Sequence, residues 1–89
     1  MESPLKRPCV LLADDEVLVQ DLVREALEEA GYEVVAVSSR SEALEALDVG
    51  NAFVALVTDI NLGGPIEGWD VAVRAREIRS SIAVVYMTG

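Results

Sequence analysis

The residues best suited to chemistry in this chain are acids that end two apolar runs. Cys9-Val10-Leu11-Leu12-Ala13 stops at Asp14-Asp15-Glu16, and Ala52-Phe53-Val54-Ala55-Leu56-Val57-Thr58 stops at Asp59. In a parallel sheet, strands that run the same way deliver their C-terminal ends to one edge. Asp14, Asp15 and Asp59 would then share a crevice. Three carboxylates in one crevice repel unless a cation sits among them. A hard divalent cation with oxygen ligands and retained water, usually Mg²⁺, answers that repulsion. Such a site suits metal-assisted phosphoryl transfer. Each acid alone has a simpler reading. Asp14-Asp15-Glu16 suits a helix N-terminus, where acids favour the dipole, and Asp59 suits a turn or an N-cap. Their joint placement is what points to chemistry.

The elements that must position these acids follow from apolar spacing. Residues 1–8 are polar, carry two prolines and read as a short disordered lead-in, leaving 9–89 as the domain. Strand one runs to Ala13. From Glu16 to Ala30, the residues Val19, Leu22, Val23, Ala26, Leu27 and Ala30 recur at spacings of three and four, which predicts an amphipathic helix. Gly31 is placed to cap it. Valine-rich Tyr32–Val37 reads as strand two. Ser39-Arg40-Ser41-Glu42 matches a capping box opening a helix through Leu47, which Gly50-Asn51 ends. Strand three covers Ala52–Thr58. Ile60–Gly68, with Gly63-Gly64-Pro65, reads as an irregular loop. Trp69–Arg79 is helical through Trp69, Val73 and Ile78, with Arg74, Arg76 and Arg79 on a solvated face, and Trp69 is expected to anchor packing. Ser80-Ser81 breaks that helix, and Ile82–Met87 is strand four. The alternation predicts an α/β domain, a doubly wound parallel sheet with helices on both faces.

Composition narrows the function. With 89 residues the chain is one domain at most, and 52% hydrophobic content suits a globular protein. A net charge of −9 disfavours nucleic acid or an anionic membrane as a direct partner of this segment. The single cysteine, Cys9, begins an apolar strand and is expected to be a buried, reduced thiol. No stretch has the length of a signal peptide or a membrane span, so a cytoplasmic location is the expectation.

Asp14-Asp15-Glu16 after strand one, Asp59 after strand three and Thr88-Gly89 after strand four together resemble the receiver domain of bacterial two-component response regulators. The resemblance covers nearly the whole chain. It implies a flavodoxin-like sheet in the order 2-1-3-4, without the fifth strand and last helices of that family. It implies that Asp59 is the phosphoacceptor and that Asp15 binds Mg²⁺ directly, Asp14 mainly through water. The backbone carbonyl of Asn61 would join the metal, and the Thr88 hydroxyl would meet the phosphoryl group. A histidine kinase or phosphotransfer protein is the implied partner. A carboxylate is a competent nucleophile toward phosphorus, and metal and donors neutralise the equatorial oxygens during transfer. Two departures stand out. The family places a phosphate-pairing lysine at the end of its fifth strand, whereas the only lysine here is Lys6 in the lead-in, so impaired phosphorylation is expected. The loop carries Gly63-Gly64-Pro65 where the family more often has proline directly after the position of Leu62.

Two other functions stay open. One is a phosphohydrolase that passes through an aspartyl phosphate. Such enzymes tend to place a second acid two residues after the nucleophile, where this chain has Asn61, which cannot act as an acid. The other is an interaction module that keeps the fold without the chemistry. Strand four is nearly all apolar, as a strand buried on both faces is. Nothing in the sequence covers its outer edge. The expectation is homo-oligomerisation through this strand-four end, or that these residues are the ordered part of a longer polypeptide.

Overall fold

The computed structural model describes residues 7–49, 52–59 and 67–87. Four parallel strands form one sheet in the order β2-β1-β3-β4: β1 (Cys9–Ala13), β2 (Glu33–Val37), β3 (Phe53–Asp59) and β4 (Ala83–Met87). Helices α1 (Val17–Glu29), α2 (Arg40–Asp48) and α3 (Glu67–Ile78) connect them. The predicted sheet order and alternation are both present.

β1 is paired on both sides and covered on both faces, and the latter explains its unbroken apolar sequence. Alternate residues of the strands feed two cores. Leu11, Ala13 and Leu56 pack with Ala43 and Leu47 of α2 and with Val71, Ala72 and Ala75 of α3. Val10, Leu12, Val34 and Val57 face the other way, where Val23 and Leu27 of α1 cover them. Fully burying one such valine or leucine contributes roughly 1.5–3 kcal/mol.

Two predicted helix faces need correction. On α1, Val19, Val23 and Leu27 are half-buried, but Leu22, Ala26 and Ala30 are exposed. A single helix laid over β1 and β2 buries only a narrow stripe, so the remaining apolar positions stay in water. On α3, the inward residues are Val71, Ala72 and Ala75, whereas Trp69, Val73 and Ile78 are exposed. Small alanines let α3 approach the sheet and α2 closely, and the bulky residues are turned to the rim. There Trp69 meets Tyr86 of β4, with ring centroids 4.6 Å apart. α3 also starts at Glu67, two residues inside the predicted loop. A glycine costs little in a first turn, where backbone N–H groups lack intrahelical partners anyway. The rest of that loop, residues 60–66, and Gly50-Asn51 lie outside the described residues.

The caps behave as their residues dictate. Gly31 has φ 99°, the left-handed region that favours glycine. Its N–H donates to Glu28 O at 3.1 Å and that of Tyr32 to Leu27 O at 3.0 Å, which closes α1 in a Schellman motif. Gly31→Ala finds open space for its Cβ but strained backbone. It is expected to cost about 1 kcal/mol, read as a lowered urea midpoint at unchanged m-value. The Ser39 hydroxyl accepts from Glu42 N–H at 3.2 Å, and the Glu42 carboxylate reaches back to Ser38 N–H at 2.7 Å. The second half of the capping box therefore lands one residue earlier than the motif prescribes.

Arg74 does not simply face solvent. It pairs with Asp48 of α2 at 2.9 Å and with Glu77 at 3.3 Å, while Arg40 pairs with Asp70 at 3.2 Å. Exposed pairs of this kind contribute little individually, though Arg74–Asp48 and Arg40–Asp70 link α2 to α3. Cys9 is half-buried rather than buried, because it opens β1 at the sheet's rim. Burial, and then the charge of Glu33, raise its pKa, which keeps the thiol protonated. β4 is an outer strand, like β2 at the other edge. Val85 and Tyr86 are exposed, and a groove of about 460 Å³ runs between α3 and β4 past Val73, Arg76 and Tyr86.

Candidate functional site

The sheet register decides where the acids meet. Ala13 of β1 is level with Thr58 of β3, so Asp14 and Asp59 come next on adjacent strands at the same edge. Asp59 is the last residue of β3, one position further into the strand than the sequence predicts, and is level with Met87 of β4. Carboxylate oxygens of Asp14, Asp15 and Asp59 all lie within 4.8 Å of one another. Asn61 and Thr88, the other two residues singled out from sequence, lie outside the described residues.

The three acids are not equivalent. Asp14 is 2% exposed, Asp59 is half-buried and Asp15 faces solvent. The backbone of Asp14 extends the ladder by one step, its N–H donating to Val37 O at 3.1 Å. Its Oδ1 accepts from Glu16 N–H at 2.8 Å, a turn that opens the path into α1. Burial pushes the Asp14 carboxyl above its ordinary value, the Glu16 N–H pulls it back, and the charges of Asp59 and Asp15 push it further up. Desolvation and like charge act together, as they do where carboxylates are gathered for a purpose. One position before Asp59, the buried Thr58 donates its hydroxyl to Asp59 O at 3.0 Å.

This donor set fits a hard divalent cation. The ligand atoms are all carboxylate oxygens. The sequence has no histidine, and Cys9 stands at the opposite end of β1. The exposed Asp15 leaves room for metal-bound water, which Mg²⁺ retains.

A stability test follows from the raised Asp14 pKa. A group titrating higher in the folded than in the unfolded state contributes fully below its unfolded pKa, ordinarily 3.8, and loses that contribution as pH rises through the folded pKa. Metal-free protein at neutral pH therefore carries the penalty of a buried charged Asp14. Asp14→Asn keeps an oxygen for the Glu16 N–H and removes the charge. It is expected to raise Tm at pH 7 without metal, by an amount that vanishes below that unfolded pKa of 3.8. A variant equally stable or less stable at pH 7 would contradict this account.

One contributor is not evident from the motifs. Gln20, in the first turn of α1, donates from Nε2 to Asp14 O at 3.1 Å and to Val37 O at 2.9 Å. A signal existed in the sequence, since residues 20, 23 and 27 share the three–four spacing of the sheet-facing stripe. A polar residue on such a stripe needs a partner. Beside it, Val17, Leu18 and Leu22 expose a cluster of apolar side chains directly after the acidic turn.

The comparisons with known proteins agree with this geometry. A response regulator receiver protein from Sinorhizobium medicae WSM419 superposes with a TM-score of 0.89 at 42% identity, covering 97% of this chain and 69% of that one. The response regulator TrrA from Thermotoga maritima, solved with Mg²⁺ and BeF, gives 0.80 at 31% identity over 91% of this chain and 69% of that one. A complex of the histidine kinase ThkA with TrrA gives 0.78 at 30% identity, with 92% and 69% covered. No curated protein matches the chain. Residues 10–89 match the model of the response regulator receiver domain, and the chain belongs to that family.

Proposed function

We propose that this domain is a phosphorylation-dependent signalling switch whose Asp59 accepts a phosphoryl group from the phosphohistidine of a partner kinase or phosphotransfer protein. The observation that carries this reading is the gathering of Asp14, Asp15 and Asp59 within 4.8 Å at the sheet edge of a receiver-family chain. A carboxylate oxygen of Asp59 attacks phosphorus, an O–P bond forms, the N–P bond to the donor imidazole breaks, and the imidazole leaves with the electron pair. Asp14, Asp15, Asp59 and the Asn61 carbonyl would hold Mg²⁺, which neutralises charge on the phosphoryl oxygens. Asp15, exposed, would be the direct ligand. Asp14, buried and already bonded to Glu16 N–H, would act mainly through water. The Thr88 hydroxyl is assigned to the transferred group.

The donor protein needs a docking face beside Asp59. Leu18 and Leu22, 79% and 68% exposed, stand on α1 immediately after the acidic turn. An apolar patch next to a negatively charged crevice suits a helical partner that brings a phosphohistidine. No described helix is long and apolar enough to cross a membrane, and a cytoplasmic location accords with this role.

Incubation with acetyl phosphate, with and without Mg²⁺, followed by intact mass, tests the reading. One persistent phosphoryl group that requires Mg²⁺ is the expected result. Rapid release of inorganic phosphate without accumulation would indicate a phosphohydrolase. No incorporation would indicate a module that has kept the fold alone.

A further inference from the structure

We infer that Gln20 is a positioning residue for the acidic site, setting the orientation of both Asp14 and Asp15 through their shared backbone; this rests on the Mg²⁺-dependent reading above. The geometry is a closed knot at the ends of β1 and β2. Val37 O accepts two hydrogen bonds, from Asp14 N–H at 3.1 Å and from Gln20 Nε2 at 2.9 Å. The second Nε2 hydrogen goes to Asp14 O at 3.1 Å. Both backbone polar groups of Asp14 are thereby fixed, and the direction of its Cα–Cβ bond with them. The carbonyl that Gln20 holds belongs to the Asp14–Asp15 peptide. That peptide is planar, so fixing its oxygen also fixes where Asp15 begins. Glu16 N–H then orients the Asp14 carboxylate at 2.8 Å.

The amide is suited to this task. One nitrogen supplies two donors without charge, so two carbonyls are bridged while the acids gain no cationic neighbour. Two acceptors flanking one atom also identify that atom as the nitrogen. Gln20 is itself held, its backbone N–H donating to Glu16 O at 2.9 Å. The chain thus leaves Asp14, enters α1 and returns through Gln20 to Asp14. Outer groups that orient metal ligands typically cost 10–100-fold in affinity when removed.

The test compares the parent with Gln20→Met, which keeps length and loses both donors, and Gln20→Glu, which sets carboxylate oxygens against two carbonyls. Mg²⁺ affinity is measured by titration and folding by thermal melting. Leu47→Ala, in the core on the opposite face of the sheet, controls for lost stability. The expected result is a roughly tenfold weaker Mg²⁺ affinity for Gln20→Met and a greater loss for Gln20→Glu. Folded Leu47→Ala should bind as the parent does despite a lowered Tm. A Gln20→Met protein that melts lower yet binds Mg²⁺ like the parent would make Gln20 merely structural and overturn the inference, leaving the function standing. A parent that binds no Mg²⁺ would overturn both.

Discussion

Asp59→Asn is expected to abolish phosphate incorporation from acetyl phosphate, leaving only unmodified protein by intact mass. The amide is nearly isosteric with the carboxylate but is not a nucleophile toward phosphorus. The variant should fold, because Asp59 is one of the charges that push the buried Asp14 carboxyl up. Its removal relieves that repulsion, and a metal-free melting temperature at or above that of the parent is the accompanying result. Incorporation at the parental level would move the acceptor elsewhere.

Asp15→Ala is expected to have the largest effect on metal binding. Removing the proposed direct ligand should exceed the roughly 10–100-fold loss that follows removal of an outer partner. The effect reads out as stability. A ligand at about 100 times its Kd stabilises by about 2.7 kcal/mol, which for a domain of this size raises Tm by roughly 10–20 °C. The parent should show that rise on adding Mg²⁺, and Asp15→Ala should show almost none. Because Asp15 is exposed, the variant's metal-free melting should stay close to the parent's. A full Mg²⁺-dependent rise in Asp15→Ala would refute the assignment.

Much of this was legible because the informative residues act locally or through a strict period. Gly31 ends α1 because the left-handed backbone there selects glycine, and Ser39 opens α2 because its hydroxyl reaches Glu42 N–H. Asp14 and Asp59 met because parallel strands with matched apolar runs end at one edge, whatever lies between them. Periodicity failed where two faces compete. Val73 and Ile78 have helical spacing, yet Val71, Ala72 and Ala75 take the core, since close approach to the sheet rewards small side chains over large ones. Leu22 misled in the same way, because apolar spacing does not reveal how wide a stripe one helix can bury. Gln20 was hidden for another reason. Its partners are two backbone carbonyls six and seventeen residues away, one just past the end of β1 and one at the end of β2, and no short motif records bonds of that reach.

The central claim is that Asp59, and no other residue, receives the phosphoryl group in a metal-dependent reaction. Borohydride reduction converts an aspartyl phosphate to homoserine and so marks the acceptor permanently. Protein treated with acetyl phosphate and Mg²⁺, reduced, digested and sequenced by tandem mass spectrometry reads the site directly. The account predicts homoserine at position 59 alone, and none when Mg²⁺ is withheld. Homoserine at Asp14 or Asp15, or equal labelling of Asp59 without Mg²⁺, would contradict it.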